Sequence, residues 1–200
     1  MAELVVRSPI APWQRIGLTF VGDRAWIGGV AVRFVDDGGA EGLVGWTLAG
    51  APSCPDTIDG LETAYLDDAD LVTTEHPLGA TAIDHVVVRT SSLERTCGAI
   101  EQITGEPLKR VREAGAVRQG FHRLGPVIVE VVETADSHGE HATFWGFVLV
   151  VDDLDAAVAR LGPEPIGAPR PAVQAGRSIA SFTREAGLGL PVALMTPHRR

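Results

Sequence analysis

The distribution of apolar and polar positions divides the chain near residue 80. Before it, three β-rich runs stand out: WQRIGLTFV (13–21), RAWIGGVAVRFV (24–35) and GLVGWTLAG (42–50). The turn signals GDR and DDGGAEG separate them, as strands in an all-β stretch require. A Pro- and Gly-punctuated segment follows, with one helical turn expected around residues 58–64. Residues 68–81 read as a connection. After residue 80 the pattern sharpens. IDHVVVRT (83–90) is a mostly buried strand, and residues 91–105 form a helix. Ser91 or Ser92 caps it, Leu93, Cys97 and Ile100 recur at helical spacing, and Gly105 ends it. Strands are expected at 107–114, 116–125 and 126–134, then a polar loop, ADSHGEHA. The rhythm then repeats: a strand at 143–153, a helix at 154–162 capped by Asp152 or Asp153, and strands at 166–174, 177–185 and 190–197.

The order β-α-β-β-β thus occurs twice, in units of about 83–134 and 143–197. Two equivalent units can bury their sheet faces together, so the expected fold class is α+β, with paired units forming a partly open barrel. Residues 1–79 read as a β-rich extension or a divergent partial unit. They are too short for a second barrel, so their apolar strands must pack on residues 80–200.

Charge narrows the partners. The formal net charge is −9 and Lys109 is the single lysine, so a nucleic-acid footprint and binding to anionic membranes are not expected. No apolar run approaches the length of a membrane span, and Cys54 and Cys97 have no CxxC spacing, so a reducing cytoplasm is the expected location. GxGxxG, Walker and GxSxG motifs are all missing. VDDLDAA looks like an acidic metal cluster, but reads as a helix cap with acids at the N-terminal dipole.

The doubled unit, opening with IDHVVV and continuing at FVLVVDDLDAAVARLG, resembles the vicinal-oxygen-chelate superfamily over about residues 80–198. That superfamily includes glyoxalase I, extradiol dioxygenases and bleomycin- and fosfomycin-resistance proteins. HPLGATAIDHVVV, RQGFHRLGPVIVEVV and AVQAGRSIAS are similar to an actinobacterial branch of glyoxalase-like proteins. The resemblance implies two units curling around a pocket. It implies metal ligands on the first and last strand of each unit: His85 and Glu130 match these positions in the first unit. Gly146 and Ala193 fall at the corresponding positions of the second, and neither side chain can coordinate. No tightly held divalent ion is therefore expected.

Single residues sharpen the picture. Glu130 interrupts VIVEVV, and a carboxylate in an apolar strand must be paired, protonated or functional. A dry pocket would suit it to general-base work. Three roles stay open for His85: metal ligand, hydrogen-bonded partner of Glu130, or structural polar residue. A metal would need a further histidine, and His122, His138 and His141 are available. In RQGFHRLG, Arg118, Gly120 and His122 share one strand face, while Gln119, Phe121 and Arg123 share the other. Arg118 and His122 are expected to meet a ligand. Gln174 and Arg177 flank Gly176 and could grip a carboxylate or amide. Trp145 reads as core or pocket wall.

Two functions follow. One is a lyase or isomerase acting beside a carbonyl, with Glu130 as base and His85 as polariser. The other is a metal-free protein that sequesters a small molecule, in a groove shared across a homodimer.

Overall fold

The computed structural model describes residues 1–49, 55–67, 72, 74–136 and 139–198. Cys54 and His138 lie outside the described residues. The chain forms two mixed sheets, and each is open.

The N-terminal sheet holds β1 (Glu3–Arg7), β2 (Arg24–Ile27), β3 (Val30–Val35), β4 (Gly42–Ala49), β5 (Thr57–Ile58) and β6 (Leu61–Leu66), with helix α1 (Ile10–Arg15) after β1. Its spatial order is β2-β3-β1-β4-β6-β5. Three expectations are corrected here. The run 13–21 is no strand: its start belongs to α1, where Pro9 and Pro12 sit at the cap and in the first turn, positions whose N–H groups have no helical partner. Trp13 is held there fully buried, its Nε1 donating to Ser8 Oγ at 3.0 Å. The run 24–35 is a hairpin, β2–β3, turning at Gly28–Gly29 with φ of 60° and 82°. The turn around 58–64 is likewise a hairpin, β5–β6, at Asp59–Gly60 with φ of 49° and 85°. Gly-Gly and Asp-Gly are the dipeptides that a type I′ turn demands.

The second sheet is built from residues 80–195. It contains β7 (Ala80–Thr90), helix α2 (Leu93–Thr104), β8 (Arg110–Ala114), β9 (Val117–Leu124) and β10 (Val127–Glu133). The second unit repeats them as β11 (Thr143–Val151), α3 (Leu154–Leu161), β12 (Arg170–Pro171), β13 (Ser178–Ser181) and β14 (Val192–Met195). The order is β12-β13-β14-β11-β7-β10-β9-β8, with β7 parallel to β10, β11 parallel to β14, and β7 antiparallel to β11. Ser92 caps α2 by accepting from Arg95 N, and Asp153 caps α3 by accepting from Ala156 N. The expected strand at 166–174 shrinks to the two residues of β12.

The N-terminal sheet carries the same plan in reduced form. β1 runs parallel to β3, β4 parallel to β6, and β1 antiparallel to β4. Among the described residues each half shows one outer strand fewer than a unit of the large sheet, and a helix is seen only in the first half, as α1. The N-terminal sheet packs on the helix-bearing face of the large sheet, β4 against β11, β2 against β7 and β5 against α2. Trp13 stacks on Phe147 with ring centres 5.8 Å apart, and Trp46 meets Phe144 edge-on at 5.1 Å. One apolar core joins Trp13, Trp46, Val86, Val88, Val129, Phe147 and Leu149 with Ile100 of α2 and Leu154 of α3. The opposite, concave face of the large sheet is left uncovered.

Candidate functional site

The floor of the concave face starts from an irregularity in β7. His85 pairs with Val148, but Ile83 pairs with Leu149, so Asp84 is an extra residue. Such a bulge re-aims side chains. Ile83 and Val86 both enter the core, and Asp84 and His85 turn away from it together. His85 Nδ1 donates to Asp84 Oδ2 at 2.8 Å, and its Nε2 stands 3.5 Å from Glu130 Oε2. Glu130 Oε1 accepts from Gln119 Nε2. On the other side Asp84 Oδ1 pairs with Arg177 Nη2 at 2.7 Å. Arg177 also donates from Nε to the Thr196 carbonyl at 2.7 Å and from Nη1 to Gln174 Oε1. A continuous polar line therefore crosses the sheet: Arg177, Asp84, His85, Glu130, Gln119.

Burial pushes the Asp84 carboxyl up, but hydrogen bonds and charge from His85 and Arg177 overcome this and hold it at about 2. An ionised Asp84 fixes the proton on His85 Nδ1 and leaves Nε2 to the cavity. Two adjoining hollows of about 810 Å³ and 480 Å³ meet here, sharing His85, Glu130, Arg170 and Ile179 in their walls. The second-unit side is apolar, with Val148, Ala193 and Met195 packed against Ala172 and Ile179.

The expected site residues separate into three groups. His85, Glu130 and Gln174 line the larger hollow, and Trp145, 41% exposed, lies at the smaller one with Arg89 5.3 Å over its ring. Arg177 is near the cavity, but its guanidinium is buried and occupied by Asp84, Gln174 and Thr196, so it positions Asp84. Arg118 and His122 sit on the helix side of β9. Arg118 pairs with Glu94 of α2 at 2.6 Å and with Glu133 at 3.4 Å. The His122 ring is 1% exposed, its Nδ1 donates to the Glu106 carbonyl at 3.1 Å, and burial pushes its pKa down. Their strand-mate Gly120 confirms the face: a Cβ there would lie 2.7 Å from Cys97 Sγ of α2. The face that meets the cavity carries Gln119, Phe121 and Arg123; His122 also borders the larger hollow, although the residue is almost wholly buried. Asp84 and Gln119 went unassigned in the sequence. Alternation starting from Glu130 picks out Gln119's face, whereas the Asp84 bulge leaves no mark in the hydrophobic pattern.

No protein-family model and no curated protein matches the chain. Solved structures do. Methylmalonyl-CoA epimerase from Mycobacterium tuberculosis superposes with a TM-score of 0.51 at 17% identity, covering 60% of this chain and 91% of that one. A selenomethionine structure of methylmalonyl-CoA epimerase gives a TM-score of 0.50 at 18% identity, covering 60% and 97%. The chain shares the fold of these epimerases, at an identity too low to carry more than the fold.

The metal centre that the sequence resemblance implies would need donors from both units. The N-caps Ser92 and Asp153 set the correspondence between units, which places Gly146 opposite His85. Glu130 pairs with Val87 as Ala193 pairs with Val148, which places Ala193 opposite Glu130. At Gly146 a Cβ would lie 2.0 Å from the Pro191 carbonyl oxygen, so backbone fills the space of a ligand. Two side chains are too few for a catalytic centre of three or four protein ligands. Among the described residues no group of three or more His, Cys, Asp or Glu could hold an ion.

Proposed function

We propose that the concave face is an active site for proton transfer at a carbon beside a carbonyl, an isomerase or lyase reaction that uses no metal. The observation that carries this reading is the Asp84–His85–Glu130–Gln119 line across the cavity floor. Glu130 is the base. Its carboxylate takes the proton as the C–H bond breaks, and the electron pair moves onto the carbonyl oxygen as an enolate. His85, its Nδ1–H held by Asp84, turns the Nε2 lone pair toward Glu130 Oε2 at 3.5 Å; it takes the abstracted proton from that carboxyl and then donates it as a hydrogen bond to the enolate oxygen. Gln119 fixes the Glu130 carboxylate through its other oxygen. Return of the proton to the opposite face gives an epimer, and loss of a leaving group from the enolate gives a lyase product.

Methylmalonyl-CoA, the compound in the names of both solved neighbours, is the first substrate to try, because its acidic carbon lies between two carbonyls. Incubation in D2O followed by mass spectrometry measures the exchange. The expected result is enzyme-dependent deuterium uptake into that compound or into a panel of 2-substituted acyl thioesters and 2-oxo acids. Glu130→Gln should slow uptake by about 100-fold or more while leaving the circular dichroism spectrum unchanged. Uptake equal in wild type and Glu130→Gln would sink the assignment.

A second reading, a protein that sequesters a small molecule, is favoured by the apolar second-unit wall, where Val148, Ala193 and Met195 present nothing that reacts. It predicts tight binding without exchange, and binding that survives Glu130→Gln.

A further inference from the structure

The cavity inverts the charge of the molecule. The chain carries 26 acidic and 17 basic residues, yet the two hollows are lined by Lys109, Arg110, Arg112, Arg123, Arg170 and Arg89, and by one carboxylate, Glu130. Pairing shows the same contrast. Outside the cavity arginines meet carboxylates: Arg7 with Asp37, Arg24 and Arg33 with Glu3, Arg95 with Asp59, Arg118 with Glu94. Inside it, among the described residues, Arg110 and Arg170 make no ion pair, and Arg112 and Arg123 touch only neutral oxygens, of Gln119 and of the Pro126 carbonyl, each at 3.4 Å. Topology explains how they gather. Arg110 and Arg112 lie on β8 and Arg170 on β12, the two outermost strands of the same eight-stranded sheet. They line one hollow because the sheet curls its edges toward each other. Arg110 and Arg112 pair in register with Phe121 and Gln119, so their side chains share the face of Glu130.

We infer that this trough binds a small ligand carrying two or more clustered negative charges. The charged group lies between the β8 and β12 arginines, and the uncharged end lies over His85 and Glu130. Guanidinium groups bind phosphate and carboxylate oxygens in the same forked geometry, so the shared chemistry is a polyanion, phosphoester or polycarboxylate. Lys109 meets Glu106 at 3.7 Å, while none of the four arginines of the larger hollow meets a carboxylate among the described residues. A cationic trough of about 810 Å³ has the size of a small-molecule site. The inference rests on the concave face being the ligand site, and it does not need the proton-transfer chemistry.

The test is calorimetric titration of the full chain with tripolyphosphate and with citrate, at low and at physiological salt. Acetate serves as the singly charged control. Binding of tripolyphosphate, citrate or both is expected, with citrate alone assigning a polycarboxylate and tripolyphosphate alone a phosphoester. The Arg110→Gln/Arg112→Gln double variant and Arg170→Gln should each weaken binding at least about tenfold. Arg184→Gln, whose arginine lies outside both hollows, should leave it unchanged. Binding of neither polyanion, or equal loss in Arg184→Gln, overturns the inference. Arginine-dependent binding without deuterium exchange leaves this inference standing and removes the reaction proposed above. Exchange on an uncharged carbonyl compound, with kcat/KM unmoved in the double variant, does the reverse.

Discussion

Asp84 shows how much one side chain can decide. It carries the charge that fixes the His85 tautomer and also neutralises a buried guanidinium, since Arg177 is 4% exposed. Asp84→Asn leaves that cation without its carboxylate, and a broken buried pair costs about 3 kcal/mol or more. Urea unfolding at pH 7 should show this as a lower midpoint at constant slope, together with slower deuterium exchange. The same carboxyl makes a prediction in acid. Its pKa falls from 3.8 to about 2 on folding, so its stabilisation is complete above pH 3.8 and is lost as pH falls through 2. The shift corresponds to about 2 kcal/mol. Wild type should lose that much more stability than Asp84→Asn between pH 4 and pH 2. Glu130 stood out because it breaks an apolar run, and the resemblance set His85 on the neighbouring strand, where the structure has the two 3.5 Å apart. Asp84 was not, because one extra residue in a strand changes a side chain's direction without changing composition.

At the scale of elements, legibility followed the strength of local signals. β7, α2, β11 and α3 have long apolar runs and capped starts, and they form as the sequence indicates. α1 and the two N-terminal hairpins were misread. Trp13–Arg15 of α1 and the Gly28–Gly29 turn were each absorbed into a β-rich run that looked like one strand. The β2–β3 turn is also pressed against β7: a Cβ on Gly28 would lie 2.7 Å from the Thr81 carbonyl oxygen. No periodicity announces such a contact. The β11–β14 junction yields a sharper prediction. Gly146→Ala places a methyl group on the Pro191 carbonyl and should destabilise the protein by on the order of 3 kcal/mol, read as a fall in Tm, since neither neighbour is a flexible side chain.

For the whole molecule, the N-terminal sheet acts as the second layer that the large sheet needs. Removing residues 1–79 uncovers Phe147 and Phe144 behind the cavity floor. The shortened chain is expected to bind the dye ANS and to elute as aggregate in size exclusion, whereas the full chain does neither. Acid acts on the seam between layers. His76 accepts from Thr19 N at 3.0 Å through Nδ1 and donates from Nε2 to the Trp26 carbonyl at 3.0 Å, and burial pushes its pKa down. His122 is lowered in the same way. Both rings favour folding when neutral, so their contribution is complete above pH 6.5 and declines as pH falls below it. Tm should therefore drop between pH 7.5 and pH 5, and His76→Gln should flatten that slope. No helix among the described residues is long and apolar enough to cross a membrane.

The Pro191 carbonyl beneath Gly146 also fixes the order in which this scaffold could be redesigned. A designer who wants a four-ligand metal cage must add donors at 146 and 193. Ala193 lines the smaller hollow, which a longer side chain there can enter, but a histidine at 146 collides with main chain before it can reach a metal. The residues 187–191 would have to be rebuilt first, and the ligand installed second. Selection for metal uptake in a library of side-chain substitutions alone would find no intermediate to climb from, while a library that varies the entry to β14 opens the path.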